Sequence, residues 1–379
     1  MFAGRKTFIR ATLVMVGTII GAGIFGVPAM LGQAGILAGS IIFWCIAGLV
    51  LATHLLFVEI IARSKERRRL PGYLEHAFGA WAKWPSVITH TAHIAGGSFL
   101  YLILGGEFLR LIAAGFGFNV GALGFQVLFW FIGSCIITAA LRLMAKIESY
   151  LTWALVGLLI LMLALAIPQA DFSHFAWQNW SGSFGALGVF LFALTGLTVI
   201  PEVFEITQRR AATTRWAVLF GSLISAGLTW LFGVFVYAAI PSGSSADFTV
   251  IANIFPAFLW LILPVVGFLA VITSFVTSAF DLKSMYLVDL KQSKLMSWGA
   301  ALGLPLALLF ILPRNFLSGV ETMGALVSSA NALLVVTAAY LVMRRDKKRI
   351  SVWWRSVAPA LAAALFIFIF LQRIIIFLV

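Results

Sequence analysis

The chain has 379 residues, of which 62% are hydrophobic and only 10% are charged, and its mean hydropathy is +1.06. Soluble globular proteins carry about 25% charged residues, so this composition excludes an ordinary soluble domain. The formal net charge is +13, which in a soluble protein would indicate nucleic-acid binding, but the positions of the basic residues indicate membrane topology instead. The two cysteines, Cys45 and Cys135, lie in apolar runs and are expected to be buried free thiols.

Apolar runs of about 20 residues, the length that spans a bilayer core, recur along the whole chain. They predict an all-α polytopic membrane protein of about eleven transmembrane helices, with residues 1–379 forming a single integral membrane domain. The predicted spans, in chain order, are Phe8–Leu31, Ile36–Ala62, Trp84–Ala114, Ala122–Leu143, Tyr150–Ile167, Phe184–Ile206, Trp216–Ile240, Phe258–Leu282, Met296–Leu312, Gly319–Met343 and Val357–Phe377. The stretch "PGYLEHAFGAW", between the second and third spans, predicts a short surface helix.

The loops between these spans predict the orientation. With the N-terminus in the cytoplasm, 23 of the 26 Lys and Arg residues fall on the cytoplasmic side, as the positive-inside rule requires. The outer side then holds Arg110, Arg314 and Arg373, together with Asp171 and Asp247. The sequence therefore predicts a multi-pass protein of the cytoplasmic membrane whose C-terminus lies outside.

The first span contains residues that do not favour a continuous helix. In "GTIIGAGIFGVP", four glycines, Gly17, Gly21, Gly23 and Gly26, precede Pro28, and both residue types weaken a helix interior. An unpaired backbone group at membrane depth is tolerated only where it lines a cavity or binds a ligand. The alternative interpretation is close helix packing, since Gly17 and Gly21 form a small-xxx-small pair.

A second interrupted helix favours the binding interpretation. The sixth span, "GVFLFALTGLTVIPEVFEITQ", is broken by Gly196 and Pro201. Two such helices separated by five spans are typical of an inverted repeat, in which both breaks meet near the midplane around the substrate. We therefore predict a first five-helix repeat over residues 8–167, an inverted second repeat over 184–343, and an extra helix over 357–377.

"GTIIGAGIFGVP" resembles the first-helix motif of the amino acid–polyamine–organocation transporter superfamily. The stretches "AVITSFVTSAFDL" and "LPRNFLSGVETMGAL" are similar to the eighth helix and the link between the ninth and tenth helices of the hydroxy and aromatic amino acid permeases, near the amino acid/auxin permeases. This resemblance implies a leucine-transporter-like 5+5 inverted repeat and secondary transport of amino acids, aromatic or hydroxy ones in this branch.

The resemblance also implies a substrate site. Backbone amides of Gly21, Ala22 and Gly23 would meet the substrate carboxylate, and carbonyls of Ala193, Thr195 and Gly196 would meet its amino group. Tyr101, near the middle of the third span, is placed either to reach the substrate with its hydroxyl or to pack against its neighbours.

The sequence leaves two alternatives for the coupling ion, sodium and a proton. Related transporters hold sodium with first-helix carbonyls, here those of Gly17 and Ile20, and with an eighth-helix motif that maps to Ala270, Thr273 and Ser274. Hydroxyl and carbonyl oxygens suit such a hard cation, although Thr and Ser also bond to their own helix carbonyls. Bacterial members of the branch are typically proton-driven, so a proton is the alternative. No metal other than sodium, no organic cofactor and no nucleic-acid partner is expected.

Ionisable residues at membrane depth are candidates for function. Glu107 and Arg110, three residues apart in the third span, are placed to pair, or to serve as an outer gate or proton site. His90 and His93 share a helix face and either pack as neutral rings or carry protons. Glu202 and Glu205 are expected to pair with Arg209 or with other basic residues at the cytoplasmic end.

Two rival functions fit the sequence less well than transport. An amino acid sensor on a permease scaffold would usually add a signalling domain or a long tail, and an intramembrane enzyme needs a nucleophile or metal cluster at depth. Neither pattern is present in the sequence, so the chain is expected not to be an enzyme, and its partners to be a small amino acid and the lipid bilayer.

Overall fold

The computed structural model describes residues 2–118, 121–139, 141–173, 176–180, 183–241, 261–345 and 356–378. Within them, every regular element is a helix. The α-helices are α1 (Phe2–Ile19), α2 (Val27–Ala34), α3 (Ile36–Ala62), α4 (Leu70–Phe78), α5 (Lys83–Gly115), α6 (Ala122–Ala139), α7 (Leu141–Ala166), α8 (Phe184–Leu194), α9 (Ile200–Ile206), α10 (Ala211–Ala239), α11 (Ile262–Ser284), α12 (Lys294–Trp298), α13 (Leu304–Ile311), α14 (Phe316–Thr322), α15 (Ser329–Arg345) and α16 (Ala358–Leu378). The predicted span start at Phe258 lies outside the described residues, as do Asp247, Lys347, Lys348, Arg349 and Arg355.

The helices agree with the predicted number of spans. In the described part of the chain, nine helices are long and apolar enough to cross a membrane, and α1 forms a further, bent span with residues 22–34 at an angle of 47°. The shorter apolar helix Ala122–Thr138 falls just below that length. Counting this helix as a span gives the predicted eleven.

Helix ends differ most where charge interrupts an apolar run. α7 begins at Leu141, nine residues before the predicted span, and the extra segment contains Arg142, Lys146 and Glu148. Charged residues lower the local hydropathy, but a helix continues past the hydrocarbon wherever water solvates its side chains. Hydropathy therefore predicted the membrane-embedded part of this helix and missed its polar end.

The predicted surface helix forms as α4, but it is packed into the protein. Leu70, Tyr73 and Leu74 are buried. The carboxylate of Asp289, in the π-helical turn that follows α11, accepts the backbone N–H groups of Arg69 and Gly72, both at 3.1 Å. A carboxylate at a helix N-terminus satisfies unpaired donors and complements the helix dipole, so Asp289 fixes the start of α4 to the end of α11.

Both cysteines are free, but the expectation that they are buried is wrong. Cys45 on α3 and Cys135 on α6 are exposed on the outside of the bundle. An apolar run in a membrane protein includes side chains that face lipid as well as side chains that face the core, so hydropathy does not separate the two.

One contact joins α8 to the π-helical turn between α14 and α15 directly through the backbone. A Cβ atom on Gly324 would lie 2.6 Å from the carbonyl carbon of Gly188, and a Cβ on Gly188 would lie 3.0 Å from the carbonyl carbon of Glu321. Real side-chain carbons do not approach this closely, so only glycine fits at either position.

The two ends of the bundle differ in charge. We call the end that carries Arg63, Arg67, Arg68, Arg69, Arg209 and Arg215 the basic end. The opposite end carries Glu107, Arg110 and Arg314. Both broken helices run between these ends, and their breaks lie in the buried middle of the molecule.

Candidate functional site

The first break lies at Ile20 and Gly21. α1 ends at Ile19, and Gly21 has φ −125° and ψ −148°, outside the helical region. A 3₁₀ turn, Ala22–Gly26, leads into α2, which carries Pro28 in its first turn. Proline is tolerated there because the first N–H groups of a helix have no partner within that helix. The predicted interruption is therefore present, within a bent apolar span.

The second break lies at Thr195 and Gly196. α8 ends at Leu194, Thr195 is extended (φ −75°, ψ 134°), and α9 begins after a short 3₁₀ turn with Pro201 in its first turn. The N–H of Gly196 donates to Nε2 of His54 at 2.9 Å. His54, which is fully buried on α3, thus supplies the acceptor that the broken helix lacks.

The two breaks touch each other. A Cβ atom on Gly23 would lie 2.5 Å from the Cα of Ala193, so the backbones of the two interrupted helices are in direct contact. A Cβ on Gly196 would lie 2.7 Å from Cγ1 of Ile19. Close packing therefore explains Gly23 and Gly196, while Gly21 faces other groups: its Cβ would lie 2.8 Å from Oγ of Ser274 and 3.8 Å from Oη of Tyr101.

A central cavity of about 40 Å³ lies at this junction, room for a few water molecules at roughly 10–15 Å³ each. Its wall combines the backbone of both breaks with polar and aromatic side chains from α5, α8 and α11. The lining residues include Thr18, Gly21, Ala22, Gly23, His93, Gly97, Tyr101, Phe192, Thr195, Ser274, Thr277 and Ser278. Small, convergent polar groups within an apolar shell are typical of a ligand site.

Five of the seven residues predicted for substrate binding line this cavity, namely Gly21, Ala22, Gly23, Thr195 and Tyr101. Ala193 and Gly196 lie immediately behind it, where they contact the first helix. The hydroxyl of Thr18 is buried, and no hydrogen-bond partner for it occurs in the described part of the chain. Thr18 was not predicted, and it adds an available polar group to the wall.

Three of the five residues predicted for sodium line a smaller cavity of about 10 Å³ next to the first. Gly17, Thr273 and Ser274 line it, together with Thr152 from α7, whereas Ile20 and Ala270 are not among the lining residues. The hydroxyl of Thr273 donates to the carbonyls of Leu269 and Ala270 at 3.0 Å, and that of Ser274 donates to Ala270 at 2.9 Å. These bonds use the hydroxyl protons and leave oxygen lone pairs for a cation.

The charged residues of the third and sixth spans form ion pairs. Glu107 and Arg110 bond through both carboxylate oxygens, at 2.6 and 2.9 Å, beside a cavity of about 550 Å³ at the opposite end. Glu205 pairs with Arg209 at 2.5 Å and with Arg67 at 2.9 Å. The predicted pairings of Glu107 with Arg110 and of Glu205 with Arg209 are thus present, whereas Glu202 lines the cavity at the basic end.

A buried charged cluster lies between the central cavity and the basic end. Asp281 on α11 is 3% exposed, and its carboxylate contacts Nε2 of His90 at 2.7 Å and the guanidinium of Arg69 at 3.0 Å. His90 is 1% exposed. His93, one helical turn further along α5, contacts Oγ of Ser328 at 3.3 Å and lines the central cavity.

Sequence reasoning singled out His90 and missed its partners. Asp281 is an acidic residue inside an apolar helix, and His54 is a histidine inside another, so the rule that ionisable residues at membrane depth are functional candidates would have found both. Neither the pairing of Asp281 with His90, 191 positions apart, nor that of His54 with Gly196, 142 positions apart, has a local signal in the sequence.

The fold is shared with solved transporter structures. MhsT, solved in complex with L-phenylalanine, superposes with a TM-score of 0.61 over 96% of this chain and 98% of its own, at 15% sequence identity. This likeness shows the leucine-transporter fold. No curated protein matches the chain by sequence.

The family is shown by the sequence itself. The model of the tryptophan/tyrosine permease family matches residues 5–378, nearly the whole chain. This extent agrees with a continuous membrane domain built around two broken helices and one central cavity. The chain is therefore an amino acid permease of the membrane and belongs to the tryptophan/tyrosine permease family.

Proposed function

We propose that this permease is a secondary active symporter of aromatic amino acids that works by alternating access. The observation that carries the proposal is the meeting of two broken helices at a small cavity in the middle of the bundle, lined by the backbone of both breaks and by polar side chains. The family's name and the L-phenylalanine bound to MhsT support an aromatic substrate.

The backbone polarity of the breaks fits a zwitterion. The N-terminal side of the second half-helix, at Ala22 and Gly23, has N–H groups that suit a carboxylate, whereas the N–H of Gly21 donates to the carbonyl of Ile19 at 2.9 Å. Carbonyls near Ala193, Thr195 and Gly196 suit an ammonium group. Tyr101 and Phe192, which line the same cavity, would contact the substrate side chain.

The distribution of space supports alternating access. The central cavity holds about 40 Å³, whereas cavities of about 550 Å³ at the opposite end and about 290 Å³ at the basic end lie on either side of it. An aromatic amino acid needs a larger site than the central one, so binding requires that helices move apart on one side. We propose that the basic end faces the cytoplasm of an inner-membrane protein with its N-terminus inside and its C-terminus outside, which the positive-inside rule supports.

Two coupling sites are proposed. For sodium, the small cavity between Gly17, Thr273 and Ser274 offers hydroxyl and carbonyl oxygens, supplemented by Thr152, with the carbonyls of Ile20 and Ala270 nearby in the chain. For a proton, the candidates are Glu107, His90 and His93. Glu107 is held in an ion pair by Arg110, whereas His90 contacts a buried carboxylate. These contacts favour the histidines over Glu107 as the proton site.

The test is counterflow in proteoliposomes. Vesicles that hold the purified permease are preloaded with unlabelled tryptophan, tyrosine, phenylalanine or alanine, and entry of labelled tryptophan is followed. We expect exchange with the three aromatic amino acids and little with alanine. Binding without exchange would indicate a sensor instead, and the absence of both would refute an aromatic substrate.

The coupling ion is tested on the same vesicles. Uptake at fixed pH is measured across a sodium titration, for the wild type and for Thr273→Ala, Ser274→Ala and Thr152→Ala. Stimulation by sodium that these substitutions weaken would support the sodium site. Sodium-independent uptake that all three leave intact would rule that site out.

A further inference from the structure

The carboxylate of Asp281 has two cationic partners of different kinds. Arg69 is permanently charged, and it precedes α4 at the basic end. His90 is on α5 and is charged only when it carries a second proton. A buried carboxylate needs one compensating cation, and removing the only one is strongly unfavourable.

We propose that His90 and Arg69 are alternative counter-ions of Asp281, so that a proton bound at His90 permits Arg69 to leave and the basic end to open. This inference rests on the proposed transport function. It assigns a proton-binding site to His90 and Asp281, and it assigns the release of α4 to that proton.

The hydrogen bonds show where the proton binds. The carboxylate of Asp281 can only accept, so Nε2 of His90 carries a hydrogen and donates to it at 2.7 Å. Nδ1 of His90 is then a free acceptor. It is buried, and within the described residues no hydrogen-bond partner for it is found. The added proton therefore binds at Nδ1, and the imidazolium remains hydrogen-bonded to Asp281.

A cavity at the basic end can accept the side chain of Arg69 when it leaves Asp281. Arg69 lines the 290 Å³ cavity at the basic end, with Tyr73, Glu202 and Ser284. Its backbone N–H is held by Asp289, whose carboxylate stays close to Arg69 when the side chain swings away. Arg69 can thus leave Asp281 for a polar cavity while Asp289 still caps α4.

The route from the substrate site passes His93. This residue lines the central cavity and lies three positions after His90, on the same face of α5. A proton that enters with the substrate reaches Nδ1 of His90 from that side. When the basic end opens, the proton leaves to the cytoplasm, and the unneutralised carboxylate favours the return of Arg69. One proton enters and one leaves in each cycle, and no covalent bond of the substrate changes.

No other described charge replaces these partners. Lys283 stacks on Trp298 with its Nζ 3.8 Å from the ring centroid, Arg5, Lys6 and Arg10 on α1 are exposed, and α6 carries no titratable carboxyl, imidazole or basic group. Asp289 bears the same sign of charge as Asp281. The side chains of Arg142, Lys146 and Glu148 on α7 lie outside the described set.

Two variants with opposite expected behaviour test the inference, in proteoliposomes with labelled tryptophan. His90→Gln keeps a group that can bond to Asp281 but cannot become a cation, so exchange should become slow at every pH while tryptophan binding in detergent is retained. The double variant Asp281→Asn/Arg69→Gln removes the carboxylate and its fixed partner together. Its exchange should stay fast and independent of pH, while accumulation driven by a pH gradient is lost.

The wild type should exchange more slowly as the pH rises, because fewer protons are available to replace Arg69 as the counter-ion of Asp281. The matched control His76→Gln, at an exposed histidine on α4, should show the same dependence. A wild type that neither binds nor exchanges aromatic amino acids would refute the proposed function. A wild type that transports, combined with normal pH-dependent exchange in His90→Gln or proton-driven accumulation in the double variant, would refute only the proton site.

Discussion

His54 holds the second break through a single nitrogen: its Nε2 accepts the N–H of Gly196 at 2.9 Å, 142 positions away in the chain. Because Nε2 accepts, the ring is neutral, and Nδ1–H donates to Oγ of Ser222 at 3.1 Å. An imidazolium would present a hydrogen to the Gly196 N–H and break this bond. Histidine thus serves here as an acceptor for backbone, in contrast to His90.

His54→Ala leaves the Gly196 N–H buried without an acceptor, which costs about 1–3 kcal/mol. We expect a lower melting temperature in detergent together with weaker tryptophan binding, since the break carries part of the proposed substrate site. Ser222→Ala removes only the outer hydrogen bond and serves as the control, with a smaller effect on both. Equal losses in the two variants would show that His54 acts through packing alone.

Gly21→Ala places a methyl group 2.8 Å from Oγ of Ser274, at the wall of the central cavity. Overpacking of this kind costs about 1–3 kcal/mol. Since roughly 1.4 kcal/mol corresponds to a factor of ten, we expect tryptophan uptake to fall by about five- to a hundredfold. The matched control is Gly227→Ala on α10, where the added methyl meets no atom within 4 Å and uptake should be unchanged. Normal uptake by Gly21→Ala would place the substrate elsewhere.

Gly23→Ala acts differently from Gly21→Ala, although the two glycines are two residues apart. Its methyl group would lie 2.5 Å from the Cα of Ala193, and backbone cannot rotate away as a side chain can. We expect a loss of thermal stability larger than that of Gly21→Ala, in addition to lost binding. A stable Gly23→Ala variant would mean that the two breaks can separate at low cost.

Arg373 attaches α16 to α14. Arg373 is 7% exposed, and its guanidinium bonds to Glu321 and, at 2.9 Å, to the hydroxyl of Thr322. Arg373→Met should reduce the free energy of unfolding by about 3–5 kcal/mol, since it leaves a partly buried carboxylate without its counter-ion. The double variant Glu321→Gln/Arg373→Met should recover much of this loss in thermal melts. If both variants were equally destabilised, the loss would come from packing of the arginine stem.

Features that depend on residues adjacent in the chain could be predicted from the sequence. Glycine and proline act on their own stretch of backbone, so the breaks at Gly21 and Gly196 were predictable, and Glu107 and Arg110 are neighbours on one helix turn. Contacts between distant helices were not predictable: Asp281 meets His90 because α11 packs on α5. For Gly23, the sequence indicated a ligand, whereas the structure gives Ala193 as the nearest group.

The backbone contact between Gly188 and Gly324 has a mechanical consequence. The two backbones are in direct contact, with no side chain between them. α8 therefore cannot slide past the turn before α15 without a steric clash. α8 and this part of the tenth span must therefore move as one rigid unit. In the alternating access proposed above, the opposite end would open by the movement of this pair as a whole, because a single helix is too stiffly tethered to act alone as the gate.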